Sequence, residues 1–169
     1  AALAEVCGGS EKMVDITIAI DKLDKIGLEK VKEELTQRGL TAEQITIIEK
    51  YLLIDGNNDE KLQQIKSLLG ETETGKQGIE ELETVNLQSQ ISNLQFDFTL
   101  ARGLNYYTGI IFEVKATNVQ MGSIGGGGRY DDLTGLFGVP NIPGVGISFG
   151  VDRIYDVMEE LKLFPADVH

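Results

Sequence analysis

The sequence is poor in the residues that most often carry metal or acid–base chemistry. Its 169 residues include one cysteine, Cys7, and one histidine, His169, at the last position. A lone cysteine cannot form an internal disulfide, and no second cysteine or nearby histidine completes a zinc site. A single terminal histidine also excludes a histidine-based triad or an HExxH motif within the chain. We therefore expect Cys7 to be a small buried residue and His169 to be a tail residue.

Long apolar runs and an excess of positive charge are missing as well. No run of about 18 apolar residues occurs, and the first residues lack the basic start and apolar stretch of a signal peptide. The default expectation is therefore a cytoplasmic location without membrane insertion. A net charge of -12 argues against broad nucleic-acid binding by this segment alone, because phosphate contacts need clustered lysine and arginine.

The first half of the sequence has helical periodicity. The signals are the Leu28, Val31 and Leu35 face that ends at Gly39, the capping-box pair Thr41 and Gln44 before Ile45, Ile48 and Leu52, the Asp55-Gly56 turn, and the Leu62, Ile65 and Leu69 face that ends at Gly70. Residues 70–78 are polar and predict a loop, and residues 79–91 predict a further helix. Lysines and glutamates are interspersed along these helices, which is typical of a solvated face. This half is predicted to be a helical interaction or support element.

The period changes to two near residue 93. Leu94, Phe96, Phe98 and Leu100 alternate with polar residues, which predicts a strand with one face on a core. Further strands are predicted over residues 110–116, 121–127 and 145–149, followed by a helix over residues 151–161. This order predicts an α+β fold with an antiparallel sheet and a helical subdomain, and it does not suit a Rossmann domain.

Three segments of the second half place arginine or tyrosine beside glycine. They are residues 102–109 (RGLNYYTG), 125–131 (GGGGRYD) and 144–153 (GVGISFGVDR). Glycines let a ligand approach the main chain, as a site for an anionic nucleotide and a small polar substrate would require. Together these segments resemble the second half of the catalytic domain of the histidyl-tRNA synthetase family, a class II synthetase family. Residues 98–109 resemble its first histidine-specific motif, residues 126–133 resemble the second, and residues 144–154 resemble motif 3. The first half resembles the helical insertion of that family more loosely, through residues 5–8 and 20–25.

The resemblance implies a partial class II catalytic core, with residues 1–92 as the helical insertion subdomain and residues 93–169 as the C-terminal half of the core. It implies a histidine–tRNA ligase, which activates histidine with ATP to histidyl-adenylate and transfers the histidyl group to tRNA(His). Activation needs positioning and positive charge more than a proton shuttle, so the lack of an internal histidine is no obstacle. The parent protein is expected to be a cytoplasmic homodimer, with ATP as a substrate and Mg²⁺ accompanying it.

The resemblance also assigns the candidate site residues. Arg102 is the candidate catalytic residue, beside the α-phosphate and the substrate carboxylate, where its planar fork can stabilise charge. It is expected to bind histidine together with Tyr106, Tyr107, Tyr130 and Gly127. Tyr107 is the better candidate for a hydrogen bond to the imidazole, and Tyr130 is expected to close the same pocket.

ATP is expected to contact Arg153, Gly150 and Arg102, with Arg153 near the γ-phosphate and the adenine. No metal-binding residue is assigned. The chain departs from the family at Asn105, where aspartate is common, and this change removes a charge. Motif 1, motif 2 and the anticodon-binding domain are not found. We therefore expect a fragment that does not activate histidine by itself.

Two other classes of function stay open at this point. One is a regulatory or histidine-sensing paralogue, such as the regulatory subunit of ATP phosphoribosyltransferase or the synthetase-like domain of a translation-control kinase. The other is nonenzymatic, with the glycines serving turns and the helical half serving as a partner surface. Arg102 and Arg153 favour the enzyme, because a histidine sensor needs no pair of phosphate-binding arginines.

Overall fold

The helical periodicity of the first half corresponds to a series of short helices in the computed structural model, which describes residues 1–100 and 106–165. The expectations for Arg102, Asn105 and His169 lie outside the described residues. The α-helices of this half are α1 (Ala2–Val6), α2 (Met13–Ile20), α3 (Leu23–Ile26), α4 (Leu28–Gln37), α5 (Ala42–Leu52), α6 (Asn58–Leu69) and α7 (Glu73–Gln88). In the described ranges, no helix has the length and apolar character needed to cross a membrane.

The starts of helices α5 and α6 are fixed by reciprocal side-chain caps. The backbone N–H of Gln44 donates to the Thr41 hydroxyl, and the side chain of Gln44 accepts from the backbone N–H of Thr41 at 2.8 Å. This confirms the predicted capping box. Asn57 and Glu60 form the same arrangement ahead of α6, with Glu60 N donating to Asn57 Oδ1 at 3.0 Å. Each box satisfies backbone donors that the first helical turn leaves unpaired.

The core of the helical unit is built from the predicted apolar faces. Val31 and Leu35 of α4 are fully buried, as is Cys7, whose expected burial is confirmed. Burial raises the pKa of the Cys7 thiol, because the charged thiolate is poorly solvated there. The other buried members are Leu3, Ala4, Ile16, Ala19, Ile20, Leu40, Ile45, Ile48, Ile65, Leu69 and Ile79.

The loop predicted over residues 70–78 is wrong, because α7 begins at Glu73 and runs to Gln88. The hydroxyl of Thr72 accepts from Gly75 N at 3.0 Å and so caps the helix. Gly75 itself lies against the main-chain carbonyl of Leu69, where a side chain would collide. Its glycine therefore reflects close packing at a helix start and not a loop.

The strand predicted over residues 94–100 is also wrong. Burial does alternate as the pattern predicted, with Phe96 only 6% exposed between two exposed neighbours. Among the residues that the structure describes, however, the segment pairs with no strand, and Phe98 and Thr99 lie in a turn. The segment belongs to the compact unit Ala1–Arg102, and the second unit is Gly103–His169. The functional boundary between residues 92 and 93 stays a prediction.

The second unit contains an antiparallel sheet, which confirms the predicted α+β class. Its elements are β1 (Ile111–Val114), β2 (Gly125–Tyr130), a 3₁₀ helix (Leu133–Phe137), β3 (Gly144–Phe149) and α8 (Val151–Glu160). In the described part of the chain, the sheet has three strands in the order β1-β2-β3, with the glycine-rich β2 at the centre. The strand predicted over residues 145–149 corresponds to β3, and the helix predicted over residues 151–161 corresponds to α8. Both agree with the structure to within one residue at each end.

The cap of α6 gives a test of the helical unit. Replacing Asn57 with alanine removes the acceptor for Glu60 N, so we expect the free energy of unfolding to fall by about 1 kcal/mol. Chemical denaturation followed by circular dichroism measures this loss. The matched control is Gln63→Ala, an exposed position within the same helix, which should be neutral or slightly stabilising. Equal effects of the two changes would contradict the capping role.

Candidate functional site

The sheet of the second unit has two chemically different faces, because residues directly opposite on paired strands and every second residue along a strand share a face. One face, here called the tyrosine face, carries Ile111, Glu113, Gly126, Gly128, Tyr130, Gly144, Gly146 and Ser148. The other, here called the apolar face, carries Phe112, Val114, Gly125, Gly127, Arg129, Val145, Ile147 and Phe149. Half of the eight residues on the tyrosine face are therefore glycines, which lack side chains.

Two tyrosine rings occupy the space that the missing side chains leave. A methyl group on Gly128 would lie 2.7 Å from Cδ1 of Tyr107, so the ring of Tyr107 rests against Gly128. The ring of Tyr130 covers Gly144, where a methyl group would lie 2.7 Å from it, and it reaches ordinary contact distance, 3.5 Å, at Gly146. Because Gly128 lies directly opposite Gly146 in the β2–β3 ladder, the two rings lie over neighbouring positions of the sheet. We expected a ligand or another main chain to approach these glycines, and in the structure tyrosine side chains do so at Gly128, Gly144 and Gly146.

The loop that carries the tyrosines is fastened to the end of β2 through Thr108. Its backbone N–H donates to Arg129 O at 2.9 Å, and its hydroxyl donates to Asp131 Oδ2 at 2.6 Å. Arg129 Nε donates to the other carboxylate oxygen of Asp131 at 3.0 Å. The hydrogen bond from Thr108, and then that from Arg129, lowers the pKa of Asp131, because both favour the charged form. Tyr106 packs on Tyr107 with ring centroids 4.6 Å apart.

Arg153 lies at the other end of the glycine strand. Its Nη1 donates to Ser123 O at 2.7 Å, just before β2 begins, and the first turn of α8 holds the residue there. Gly150 N donates to Ile124 O at 2.9 Å and fixes the entry into that helix. With a rise of about 3.4 Å per residue, the two ends of the run of residues 125–128 are roughly 10 Å apart. The arrangement suits an extended ligand with different groups at its two ends.

The structure brings some predicted site residues together and separates others. Tyr107 and Tyr130 share one position, and Tyr106 supports Tyr107, whereas Arg153 and Gly150 lie at the far end of β2. Gly127 faces the apolar side of the sheet, where an added methyl group would meet the carbonyl of Gly146 and the ring of Phe112. A ligand on the tyrosine face could therefore contact only the peptide groups of Gly127. The roles assigned to these residues stay predictions.

Sequence reasoning missed the residues that seat the tyrosines. Gly128, Gly144 and Gly146 touch the rings, and Thr108 ties down their loop. The period-two rule could have found Gly128 and Gly126, because counting back from Tyr130 in steps of two places them on its face. No signal in the sequence indicates that Thr108 pairs with Asp131.

The comparisons with known proteins agree on one family. The family profile described as Histidyl-tRNA synthetase matches residues 3–154. The chain is 53% identical over 172 aligned residues to a histidine–tRNA ligase from Bacteroides fragilis, and 54% identical over 169 residues to one from Phocaeicola vulgatus. Each alignment covers 98% of this chain and 37% of the relative. The chain therefore spans a little over a third of the length of these curated relatives.

Solved structures show the same similarity. A histidyl-tRNA synthetase from Nostoc sp. PCC 7120 superposes with a TM-score of 0.79 and 37% identity, covering 93% of this chain and 38% of that one. A Bacillus halodurans structure described as an ATP phosphoribosyltransferase regulatory subunit/histidyl-tRNA synthetase gives 0.72 at 22% identity, covering 92% and 40%. At 22% identity, this second similarity shows the fold alone. The curated relatives at 53% and 54% identity are histidine–tRNA ligases, and they favour the ligase over the regulatory subunit.

The Thr108–Asp131 bond can be tested by titration. Replacing Thr108 with valine removes the principal donor to the carboxylate, so the pKa of Asp131 should rise towards its ordinary value. Carbon-detected NMR of the side-chain carboxyl measures the change. Thr99→Val is the control, because the hydroxyl of Thr99 bonds to Asp97 and not to Asp131. An Asp131 titration that is the same in both variants would contradict the assignment.

The seat of Tyr107 can be tested with a pair of glycine substitutions. Gly128→Ala places a methyl group against the Tyr107 ring, so we expect a loss of about 1–3 kcal/mol in the free energy of unfolding. Gly78→Ala has open space around it inside α7, so it should stabilise by about 0.5–1 kcal/mol. Denaturation of the two variants compares these signs. Tolerance of both changes would mean that the ring does not rest on Gly128.

Proposed function

This chain belongs to the histidyl-tRNA synthetase family, and we propose that it supplies part of the histidine and ATP sites of a histidine–tRNA ligase. The whole protein would activate histidine with ATP to histidyl-adenylate and then transfer the histidyl group to tRNA(His). The observation that best supports the proposal is the convergence of Tyr107 and Tyr130 on one position of a glycine-floored sheet. Aromatic walls above exposed main-chain groups are typical of a pocket for a small polar ring.

Histidine is proposed to bind at the tyrosine end of the tyrosine face. The Tyr107 hydroxyl would hydrogen-bond the imidazole, and Tyr130 would close the pocket from β2. Tyr106 would hold Tyr107 in place through their ring contact. Gly127, which has no side chain, would contribute main-chain contacts between Gly126 and Gly128, which lie on the tyrosine face.

ATP is proposed to reach the other end of β2, where Arg153 and Gly150 lie. The guanidinium of Arg153 is exposed and, among residues 1–100 and 106–165, donates to Ser123 O, and a guanidinium has further donors that can meet phosphate oxygens. The distance of roughly 10 Å along the strand matches an amino acid joined to a nucleotide through the α-phosphate. Electrostatic attraction at this end would add to the contacts that the rest of the protein supplies.

The proposed reaction requires charge stabilisation between these two ends. A carboxylate oxygen of histidine forms a bond to the α-phosphorus, the bond from that phosphorus to the bridging oxygen breaks, and pyrophosphate leaves with the electron pair. Arg102, which precedes Tyr106 by four residues, is the proposed catalytic residue, and its permanent charge suits the developing negative charge. Mg²⁺, when bound with ATP, would supply positive charge to the phosphates, and we propose no protein ligand for it.

The same proposal covers the cellular location and the assembly of the whole protein. We propose that the complete ligase is a cytoplasmic homodimer and that this chain alone does not activate histidine. The apolar face supports the second point, because Val145, Ile147 and Phe149 are 69%, 52% and 63% exposed. An apolar sheet face of this kind is costly in water and would be covered in a longer protein.

A chimera tests the proposal directly. This chain replaces the matching segment of the Bacteroides fragilis ligase, and histidine-dependent ATP–pyrophosphate exchange is measured. We expect the chimera to be active and the isolated chain to be inactive. Tyr107→Phe should raise the KM for histidine about tenfold, since it removes one hydrogen bond, and Arg153→Ala should raise the KM for ATP about tenfold or more.

Matched variants control for general damage. Tyr155→Phe alters an exposed tyrosine of α8 that packs on Phe164, and Arg38→Ala alters an arginine that pairs with Asp15 and Glu34 in the helical unit. Both should leave the two KM values unchanged. An inactive chimera, or equal effects of Tyr107→Phe and Tyr155→Phe on the histidine KM, would refute the proposed function.

A further inference from the structure

Three side chains of the helical unit hold the main chain of residues 94–98. Asn58 Nδ2 donates to Leu94 O at 3.0 Å, and Asn58 Oδ1 accepts from Phe96 N at 2.9 Å. Lys61 Nζ donates to Phe96 O at 2.8 Å. We call the residues Tyr51, Asn58 and Lys61 the side-chain clamp. Its third member, Tyr51, donates from its hydroxyl to the carbonyl of Phe98 at 2.7 Å.

The clamp takes the place that a neighbouring strand would have. It bonds the main chain at every second residue, which is the spacing at which a strand presents groups to one neighbour. The amide of Asn58 offers a donor and an acceptor together, as a peptide group does. Asn58 Nδ2 also approaches Asn86 Oδ1 at 3.3 Å, and Asn86 Nδ2 donates to Asp59 Oδ1 at 2.9 Å, which fixes the orientation of the amide.

Packing reinforces these hydrogen bonds. Phe96 is buried, and the rings of Tyr51 and Phe98 lie 6.1 Å apart between centroids. Desolvation, with a smaller contribution from Asp97, raises the pKa of Tyr51 to about 12. The hydroxyl therefore keeps its proton at neutral pH and remains a donor to Phe98 O. The hydrogen bonds of the clamp end on main-chain atoms of residues 94–98, so they hold the path of the backbone there.

The clamped segment leads directly into the residues proposed for catalysis. Phe98 precedes Arg102 by four residues, and residues 98–109 are the segment that resembles the first histidine-specific motif. We propose that Tyr51, Asn58 and Lys61 are positioning residues, which set the start of this motif so that histidine activation is fast. This inference rests on the proposed function. It gives the helical unit a part in activation beyond that of a support element.

If the clamp positions the motif, loss of a clamp residue should change kcat more than it changes the KM for ATP. A mutation far from the reacting atoms can lower the rate by up to about 100-fold if it misplaces a reacting group by about 1 Å. The clamp residues themselves are proposed to touch neither histidine nor ATP. Their loss should therefore lower kcat for histidine-dependent pyrophosphate exchange while the KM for ATP stays nearly constant.

The experiment uses the same chimera with a matched pair on α6. Lys61→Met removes the donor to Phe96 O, whereas Gln64→Met removes a donor to Asp55 O, in a loop that does not lead into the motif. We expect Lys61→Met to lower kcat per active site about tenfold, with the KM for ATP within about twofold. Gln64→Met should leave kcat unchanged, and Lys61→Arg, which keeps a charged donor, should recover most of it.

A second variant keeps the test decisive if Lys61→Met is unstable. Tyr51→Phe retains the ring packing and removes only the hydroxyl, and it should lower kcat per active site in the same direction, by about threefold or more. Titration of bound histidyl-adenylate counts active sites, so loss of folded protein is not mistaken for loss of rate. Unchanged kcat per active site in both Tyr51→Phe and Lys61→Met would overturn the positioning role. An inactive unsubstituted chimera would instead refute the proposed function.

Discussion

The absence of side chains along the centre of one small sheet is the constraint on which the candidate site depends. Gly128 and Gly146 lie opposite each other on β2 and β3, and the rings of Tyr107 and Tyr130 come down onto this pair of strands. A methyl group at Gly128 would collide with the Tyr107 ring, and a larger side chain at Gly146 would press on the Tyr130 ring. Without side chains at these positions the strand packs less well by itself, but the two tyrosine rings can approach its main chain.

Glycine alone does not place a ring, so the groups above the strand are held from its two ends. At one end the Thr108–Asp131 bond fastens the tyrosine loop, and at the other the Arg153–Ser123 bond holds the first turn of α8. Both bonds join a segment of the candidate site to the margins of β2, where the backbone is already ordered by the ladder. Rigid elements carry the site, and short polar bonds set its details.

Much of the fold could be predicted because it depends on local patterns. Caps such as Thr41 with Gln44 and the helical face of α4 follow from spacing alone. The error at residues 94–100 has a physical reason, since a period of two reports alternating burial and not the identity of the hydrogen-bond partner. Here the partners are side chains such as Asn58, which no local pattern could indicate. The seat of Tyr107 depends likewise on a tertiary contact.

Net charge is a poor guide to what this chain can bind, and the site explains why. The chain carries a net charge of -12, yet the proposed ligand ATP is itself an anion. Surface charges separated by more than about 8 Å are largely screened at physiological salt, whereas a guanidinium in contact with a phosphate is not. A ligand at Arg153 would therefore respond mainly to the charge that the local fold places in contact with it.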